Sequence, residues 1–243
     1  MKNIEEHHVH RFPSSRLATI DIGRIAGKMH HVAAFLELDV TDSRQLIRAK
    51  RNKKEPVSMT SWLIACIGRI CAENPVLHGV RKGRRDIVVF RDVDVSLMIE
   101  KSVDGVKVPL PYIIRKANQK SMDAIALEIE GGKQQTVVDE SDFVLGQKQA
   151  PAWAMNAYYC LPGSLRRLVW QLILRNPARL KRNMGTVMVT SVGMMGVING
   201  WVLPDSIHPV CFAIGSVIKK PAAVGQTVQI REFLHVTALV DHD

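Results

Sequence analysis

The order of apolar and polar residues predicts an alternation of strands and helices along the chain. Apolar and polar residues alternate, as in half-buried strands, in a stretch that ends at Val40 and in another that begins at Phe90. The same alternation occurs at 106–115, 185–193, 209–218 and 227–243. Apolar residues at helical spacing predict helices directly after Val40 and at 58–74, 120–132 and 164–183. Neighbouring hairpins and long crossovers are mixed in this order, which favours an α/β protein: a two-layer sandwich with a mixed sheet.

Caps and helix breakers give the expected boundaries of these elements. Thr41 or Asp42 is the expected cap of the first helix, and Gly131 is the expected stop of the third. Proline cannot donate to a central ladder, so the strand that contains Pro109 and Pro111 is expected at a sheet edge or against another chain. Residues 133–160 show little periodicity and predict a loop or an irregular helix.

Composition bounds the class of protein. Apolar residues make up 47% of the 243 positions, enough for one large core without disulfides or metal. The four cysteines form no CxxC pair, and three of them lie in apolar runs, which favours a reducing compartment. With no apolar leader and no long apolar run, the chain is expected to be a cytoplasmic protein. We expect a flexible tail at 1–15 and one domain at 16–243.

The formal charge of +10 suggests an anionic partner, but the basic residues are dispersed. They form separate runs at 48–54, 81–85, 166–167 and 175–182. Solvated basic faces are the favoured interpretation. Nucleic acid is an unlikely partner, because aromatic residues are few and no zinc-finger, GxGxxG or Walker-type spacing occurs. The basic amphipathic stretch 164–182 is expected to pack on the domain, with peripheral contact to anionic lipid as the alternative.

The last predicted strand ends in the unusual sequence "TALVDHD". It places His242 between two carboxylates, those of Asp241 and Asp243. The first explanation is a frayed polar end, and the second is a catalytic histidine. The histidines near the N-terminus are better explained by a tail than by metal binding, so no metal site is expected.

Five motifs in one order carry a resemblance to a known family. They are "ELDVTDSRQLIR", "AENPVLHG", "DVDVSLMIE" with the following "VKVPLPYIIRKANQKSMDAIALEIE", "GTVMVTSVGMMG" and "VDHD". Together they resemble the catalytic domain of the 2-oxoacid dehydrogenase (dihydrolipoyl) acyltransferases, relatives of chloramphenicol acetyltransferase. The resemblance runs from about residue 16 to the end, and implies the chloramphenicol acetyltransferase-like fold.

The resemblance implies roles for particular residues. The family signature is DHRxxDG, in which Asp241 and His242 match. Asp243 stands at the arginine position and the rest is absent, so the signature appears interrupted just after its base. The family's strand-end hydroxyl corresponds to Thr190, which lies 52 residues before His242. Ser191 is the fallback for that hydroxyl.

Two further residues are assigned by the same resemblance. Gly193 follows the hydroxyl in the strand-end motif. Arg16 lies near the family's arginine that pairs with the aspartate of the signature. With Ser191 and Asp241, these two are expected to have structural or substrate-channel roles.

The implied function is acyl transfer between thiols by coenzyme A-dependent direct transfer in a ternary complex. His242 would act as the general base and Thr190 would stabilise the oxyanion, which requires their strand ends to meet at one cleft. The family places this cleft between subunits of a homotrimer. The acceptor would be a thiol, such as one on a lipoyl domain in trans, since this chain carries no lipoyl-bearing domain. The alternative is a non-catalytic trimeric scaffold that retains the fold.

Overall fold

A computed structural model describes residues 15–103, 106–135, 152–191 and 198–243. Residues 1–14 of the predicted tail and Gly193 lie outside these ranges, so their predictions stand as before. The domain boundary at residue 16 also stays a prediction. Among the described residues, no helix is long and apolar enough to cross a bilayer.

The core of the molecule is a six-stranded mixed sheet. Its strands are β1 (His31–Asp39), β4 (Val95–Val103), β5 (Val106–Ile114), β6 (Val187–Ser191), β7 (Val210–Val224) and β8 (Thr227–Asp241). Their order is β1-β8-β7-β6-β4-β5, with β6 parallel to β4 and β7 and the other pairs antiparallel. A separate hairpin joins β2 (Val80–Lys82) and β3 (Asp86–Val88). The predicted α/β class with a mixed sheet is confirmed.

Seven α-helices accompany the sheet in the described residues. They are α1 (Ser15–Ala26), α2 (Thr41–Asn52), α3 (Met59–Glu73), α4 (Met122–Gln134), α5 (Ala152–Cys160), α6 (Gly163–Leu174) and α7 (Pro177–Met184). The buried side of α3, including Ile64 and Cys71, packs with α4 on the inner face of the sheet. A second core joins Ala26 of α1, Trp170 of α6 and Leu180 of α7.

Some predicted boundaries are confirmed and others are wrong. The strand with Pro109 and Pro111 is the edge strand β5. The expected stop at Gly131 is wrong, because α4 continues through Gly132 to Gln134. At Gly132 an added Cβ would lie 3.0 Å from the ring of Tyr112, so glycine serves close helix–strand packing here.

The expected cap of α2 is also wrong. Neither Thr41 nor Asp42 caps this helix; Val40 holds the N-cap position without a side-chain bond. Instead, the Asp39 carboxylate accepts from the Thr41 backbone N–H at 3.0 Å and from its hydroxyl at 2.7 Å. The pKa of Asp39 is lowered to about 2. The hydrogen bond from the Thr41 hydroxyl is the largest cause, and the hydrogen bond from Arg231 is the second. The first backbone N–H of α2 is therefore satisfied by a carboxylate at the end of β1.

Helix α1 was not predicted from the sequence. Its buried positions are Ala18, Asp21 and Ala26, and an aspartate at the centre of a core-facing side obscures the apolar period. The Asp21 carboxylate accepts from Arg166 of α6 at 2.7 Å, with both side chains mostly buried. A buried ion pair therefore joins two helices that the apolar pattern alone does not connect.

Candidate active site: two ends of one sheet

The end of β8 is fixed by backbone hydrogen bonds on both sides. The Asp241 N–H donates to the Pro209 carbonyl at 2.8 Å, and the His242 N–H donates to the His30 carbonyl at 3.0 Å. The backbone at His242 is thus held between the start of β1 and the segment before β7, while its side chain is exposed. The histidine is therefore on an anchored strand end and presents its imidazole to solvent.

Asp243 makes two further contacts across this end. Its carboxylate meets Nδ1 of His30 at 3.0 Å and accepts from the Arg81 guanidinium at 2.7 Å. The hydrogen bond to Asp243 raises the pKa of His30, and the same bond lowers the pKa of Asp243. These groups are exposed, so their contribution to folding is small and screened by salt.

His242 lies in a groove of about 600 Å³. One wall comes from the end of α3 and the turn after it, with Glu73, Asn74 and Leu77. A second hollow of about 720 Å³ continues past Asp241 toward Arg84. Both volumes lie in the range of small-molecule sites.

A buried polar cluster supports this end of the sheet. His208 is fully buried; its Nε2–H donates to the Met184 carbonyl at 2.9 Å, and Nδ1 lies 3.1 Å from the Ser206 hydroxyl. Burial lowers the pKa of His208 to about 4, so the ring is neutral at neutral pH. The next residue, Pro209, provides the carbonyl that holds Asp241. Packing of a neutral histidine therefore sets the position of the strand that carries His242.

A second buried histidine lies on the same side. Nδ1 of His78 is 3.0 Å from the Thr186 hydroxyl, while Nε2 is buried and has no hydrogen-bond partner among the described residues. Burial lowers the pKa of His78. His78 is the last residue of the short 3₁₀ helix Pro75–His78, and its contact with Thr186 links the groove wall to the start of β6.

Thr190 lies at the end of the short strand β6, level with Ala213 of β7 and Thr237 of β8 in the middle of the sheet. It lies near the C-terminal end of β6 and is half-buried, while Val187 and Val189 of the same strand are fully buried in the core. Side chains alternate along a strand, so the Thr190 hydroxyl faces the outer side of the sheet. Ser191 follows it on the inner side, paired with Ile214. Thr190 is therefore the strand-end hydroxyl that projects away from the helices.

One chain does not bring Thr190 and His242 together. Thr190 pairs with Ala213 and, through it, lies level with Thr237. His242 is five residues farther along β8, which is about 16 Å along the sheet at ~3.3 Å per residue. β6 and β8 run in opposite directions, so their C-terminal ends point in opposite directions along the sheet. The expected common cleft is absent within one chain.

The other predicted site residues are placed as follows. The Asp241 Oδ1 atom is buried with no hydrogen-bond partner among the described residues. Arg16 belongs to α1, but its side chain lies outside the described part of the structure, as does the whole of Gly193. No group of three or more His, Cys, Asp or Glu side chains in the described residues has the arrangement of a metal site.

Sequence reasoning missed a polar cluster on the outer face near Thr190. His235 is 1% exposed and stacks on Trp201 at 4.5 Å between ring centroids. Nε2 of His235 lies 3.1 Å from a Glu37 carboxylate oxygen, and Nδ1 lies 3.1 Å from the Gly200 carbonyl. The hydrogen bond from Lys220 is the main cause that lowers the pKa of Glu37. Only the register of β1 on β8, which places Glu37 opposite His235, reveals this cluster.

Comparisons with known proteins point to one class of fold. No protein-family profile and no curated protein matches the chain in sequence. Among solved structures, a probable dihydrolipoamide acetyltransferase of Listeria monocytogenes matches with TM-score 0.66 and 16% identity, over 98% of this chain and 86% of that one. The Azotobacter vinelandii dihydrolipoamide acetyltransferase matches with TM-score 0.66 and 15% identity, over 100% and 86%.

A third match extends this picture to a large assembly. The cubic core of a pyruvate dehydrogenase multienzyme complex aligns with TM-score 0.67 and 16% identity, over 100% of this chain and 86% of that one. The chain therefore has the fold of dihydrolipoamide acyltransferase catalytic cores over nearly its whole length, as the sequence motifs predicted. At these identities the comparison establishes the fold.

Proposed function

We propose that the chain is a coenzyme A-dependent acyltransferase whose active site forms between two copies of the chain. The carrying observation is the separation of Thr190 and His242, about 16 Å along one sheet, at the ends of strands that run in opposite directions. Each chain has a hydroxyl on the outer face at the end of β6 and an anchored, exposed histidine at the end of β8. A cyclic assembly joins the hydroxyl end of one chain to the histidine end of the next.

The edge strand β1 supports assembly. It exposes large apolar side chains on both of its faces: Val32 and Phe35 are each 55% exposed, and Leu36 and Leu38 are each 39% exposed. An edge strand with this much exposed apolar surface is a predicted association site. A cubic core, such as that of the third structural match, has threefold axes by symmetry. Both observations favour a homotrimer.

The proposed chemistry needs only a base and a hydroxyl donor. His242 removes the proton of the acceptor thiol as its sulfur attacks the thioester carbonyl of acyl-coenzyme A. The tetrahedral intermediate carries an oxyanion, to which the partner subunit's Thr190 donates a hydrogen bond. On collapse, the carbon–sulfur bond to coenzyme A breaks, and the leaving thiolate takes the proton from the His242 imidazolium. No acyl-enzyme forms, and charge and protons balance.

Basic side chains around the groove favour an anionic substrate. Arg81 lines both hollows beside His242, and Arg84 lines the second. Guanidinium groups at the mouth of such a cleft attract the phosphates of coenzyme A. The acceptor is proposed to be a thiol such as dihydrolipoamide, presented by a lipoyl domain in trans.

Subunit complementation tests this proposal directly. Two inactive variants, His242→Ala and Thr190→Ala, are co-expressed with different tags, and doubly tagged trimers are purified and assayed with acetyl-coenzyme A and dihydrolipoamide. Each mixed trimer regains one complete site of three, so random mixing of equal amounts restores about a quarter of wild-type activity before the tag selection. Mixed trimers as inactive as either parent would overturn the shared site.

A non-catalytic trimeric scaffold is the second candidate, because the apolar β1 surface serves assembly whether or not chemistry follows. Light scattering and turnover distinguish the two. A trimer that binds coenzyme A without acyl transfer to any thiol tested would favour the scaffold. A chain that stays monomeric at micromolar concentration would contradict both candidates.

A further inference from the structure

Helix α6 carries an apolar stripe on its exposed side. Its members recur at helical spacing and are 37 to 52% exposed: Leu165, Leu168, Val169 and Leu172. Positions three, four and seven residues apart lie on one side of a helix, so these four side chains form a continuous strip. No described residue covers this strip enough to bury any of its members.

The opposite side of α6 is fixed to the protein. Trp170 is buried and donates its indole N–H to the Tyr158 hydroxyl at 2.8 Å. Arg166 donates to the buried Asp21 at 2.7 Å and to the Leu161 carbonyl at 2.8 Å. The stretch 164–182 therefore packs on the domain, as predicted, through Trp170 and Leu180, while the apolar strip of α6 points outward.

The charge around the strip has a single sign. No Asp or Glu occurs in the described stretch 152–191, whereas arginine and lysine recur through α6 and α7. Arg175 follows Leu168 by seven residues and Leu172 by three, so it lies on the side of the strip. Arg179 is exposed on α7, and neither arginine has an acidic partner among the described residues. The strip is thus bordered by cations that nothing in the described chain neutralises.

We propose that the α6–α7 face binds the surface of anionic phospholipid bilayers, with the α6 strip inserted among acyl chains and Arg175 and Arg179 at the phosphate level. An apolar helix face with arginine at its border is the pattern of interfacial membrane binding. Charge complementarity selects an anionic bilayer over a second copy of this chain, because two such faces would place uncompensated arginines against each other. The lipid proposal does not rest on the proposed acyl transfer, but the two surfaces adjoin, since Arg175 also lines the second hollow beside Arg84.

Vesicle sedimentation of the full chain tests the proposal. The probes are phosphatidylcholine vesicles with about one third phosphatidylglycerol, and pure phosphatidylcholine vesicles as the neutral comparison. We expect binding to the anionic vesicles, weak binding to the neutral ones, and marked loss when salt rises to about 0.5 M. Absence of binding to the anionic vesicles would overturn the proposal.

Two variants and two controls localise the contact. L168Q/L172Q should lower the partition coefficient by at least about tenfold, because two leucines no longer enter the apolar layer. R175Q/R179Q should lower it by about tenfold on anionic vesicles only. The controls are Leu127→Gln, at an exposed leucine of α4, and R51Q/K53Q at the basic C-terminal end of α2. Both controls should bind like the wild type.

Other occupants of the strip give different results. If L168Q/L172Q changes the oligomeric state by light scattering and leaves vesicle binding intact, the strip contacts protein and the lipid proposal fails. If the same variant lowers the melting temperature like a core substitution, the strip is covered within the chain and the proposal also fails. Equal loss of binding in the α2 control would show unspecific charge attraction and would overturn the assigned surface.

Discussion

The end of the sheet at His242 and the Thr190 end of β6, about 16 Å away along the sheet, are built in opposite ways. The His242 end rests on buried histidines and hydroxyls, and backbone bonds hold its last strand on both sides. The Thr190 end lies on the outer face beside the Trp201–His235 stack and the exposed apolar strand β1. The His242 end is held within the chain, whereas the Thr190 region adjoins exposed apolar surface that a second copy would cover in the proposed trimer.

This contrast indicates what a single chain contributes to a shared site. A general base must be held at a fixed position, and an internal polar cluster provides that without a partner. A hydroxyl on an open face can act only after a second chain closes over it and excludes water. The following predictions test whether the two ends belong to one site.

The largest expected effect is on His242. Replacing it with Ala removes the proposed base and should lower kcat for acetyl transfer by about 10³-fold. His30→Ala is the matched control, because it removes the contact to Asp243 at the same strand end but leaves the His242 ring. Kinetics at saturating acetyl-coenzyme A measure both. Activity of His242→Ala within tenfold of the wild type would remove His242 from the chemistry.

The next largest effect concerns His208, the buried histidine beside the strand that carries His242, and the pH dependence of protein stability. The pKa of His208 is about 4 in the folded chain, below the usual value near 6.5, because burial disfavours the charged ring. Between these two pH values, His208 is protonated in the unfolded chain but not in the folded chain. The free energy of unfolding therefore falls as the pH drops from about 6.5 to 4. The loss is on the order of 3 kcal/mol.

Urea unfolding as a function of pH measures this effect. His208→Gln keeps a donor for the Met184 carbonyl but cannot titrate, so its stability should fall much less across the same range. His30 does not mimic this behaviour, because its pKa is raised and its exposed pair with Asp243 weakens as pH rises. Parallel curves for wild type and His208→Gln would contradict the proposed role of His208.

Thr190→Ala tests the open end. Loss of the hydroxyl should lower kcat by about 10²-fold and leave coenzyme A binding nearly unchanged, since the hydrogen bond forms mainly in the transition state. Thr190→Ser should restore most of the rate, and Thr60→Ala, at a half-buried threonine of α3, is the control. A rise in KM with kcat unchanged would instead give Thr190 a role in substrate binding.

Local patterns predicted the elements better than their contacts. The alternation of apolar and polar residues predicted the strand β5. Its two prolines predicted that it lies at the sheet edge, because proline has no N–H to donate to a neighbouring strand. Helix α1 was missed because Asp21 occupies a core position, and only the ion pair with Arg166 explains it. The cap of α2 was missed because the carboxylate comes from the preceding strand.

The candidate site shows the same limit. Family motifs named His242 and Thr190, but their separation along the sheet depends on strand order and direction, which sequence spacing does not contain. His235 and Glu37 are separated by most of the chain and meet only through the pairing of β1 with β8. Residues brought together by register alone leave no local signal.

The smallest expected effect concerns Thr237, which lies level with Thr190 on the outer face. Its hydroxyl is fully buried and has no hydrogen-bond partner among the described residues. Thr237→Val replaces that hydroxyl with a methyl group of the same shape, so the free energy of unfolding should rise by about 1 kcal/mol, with activity unchanged. Chemical unfolding and the acetyl transfer assay measure the two quantities. A loss of activity in Thr237→Val without a loss of stability would mean that the Thr237 hydroxyl also serves the active site. The outer face would then contribute two hydroxyl groups to the chemistry, those of Thr190 and Thr237.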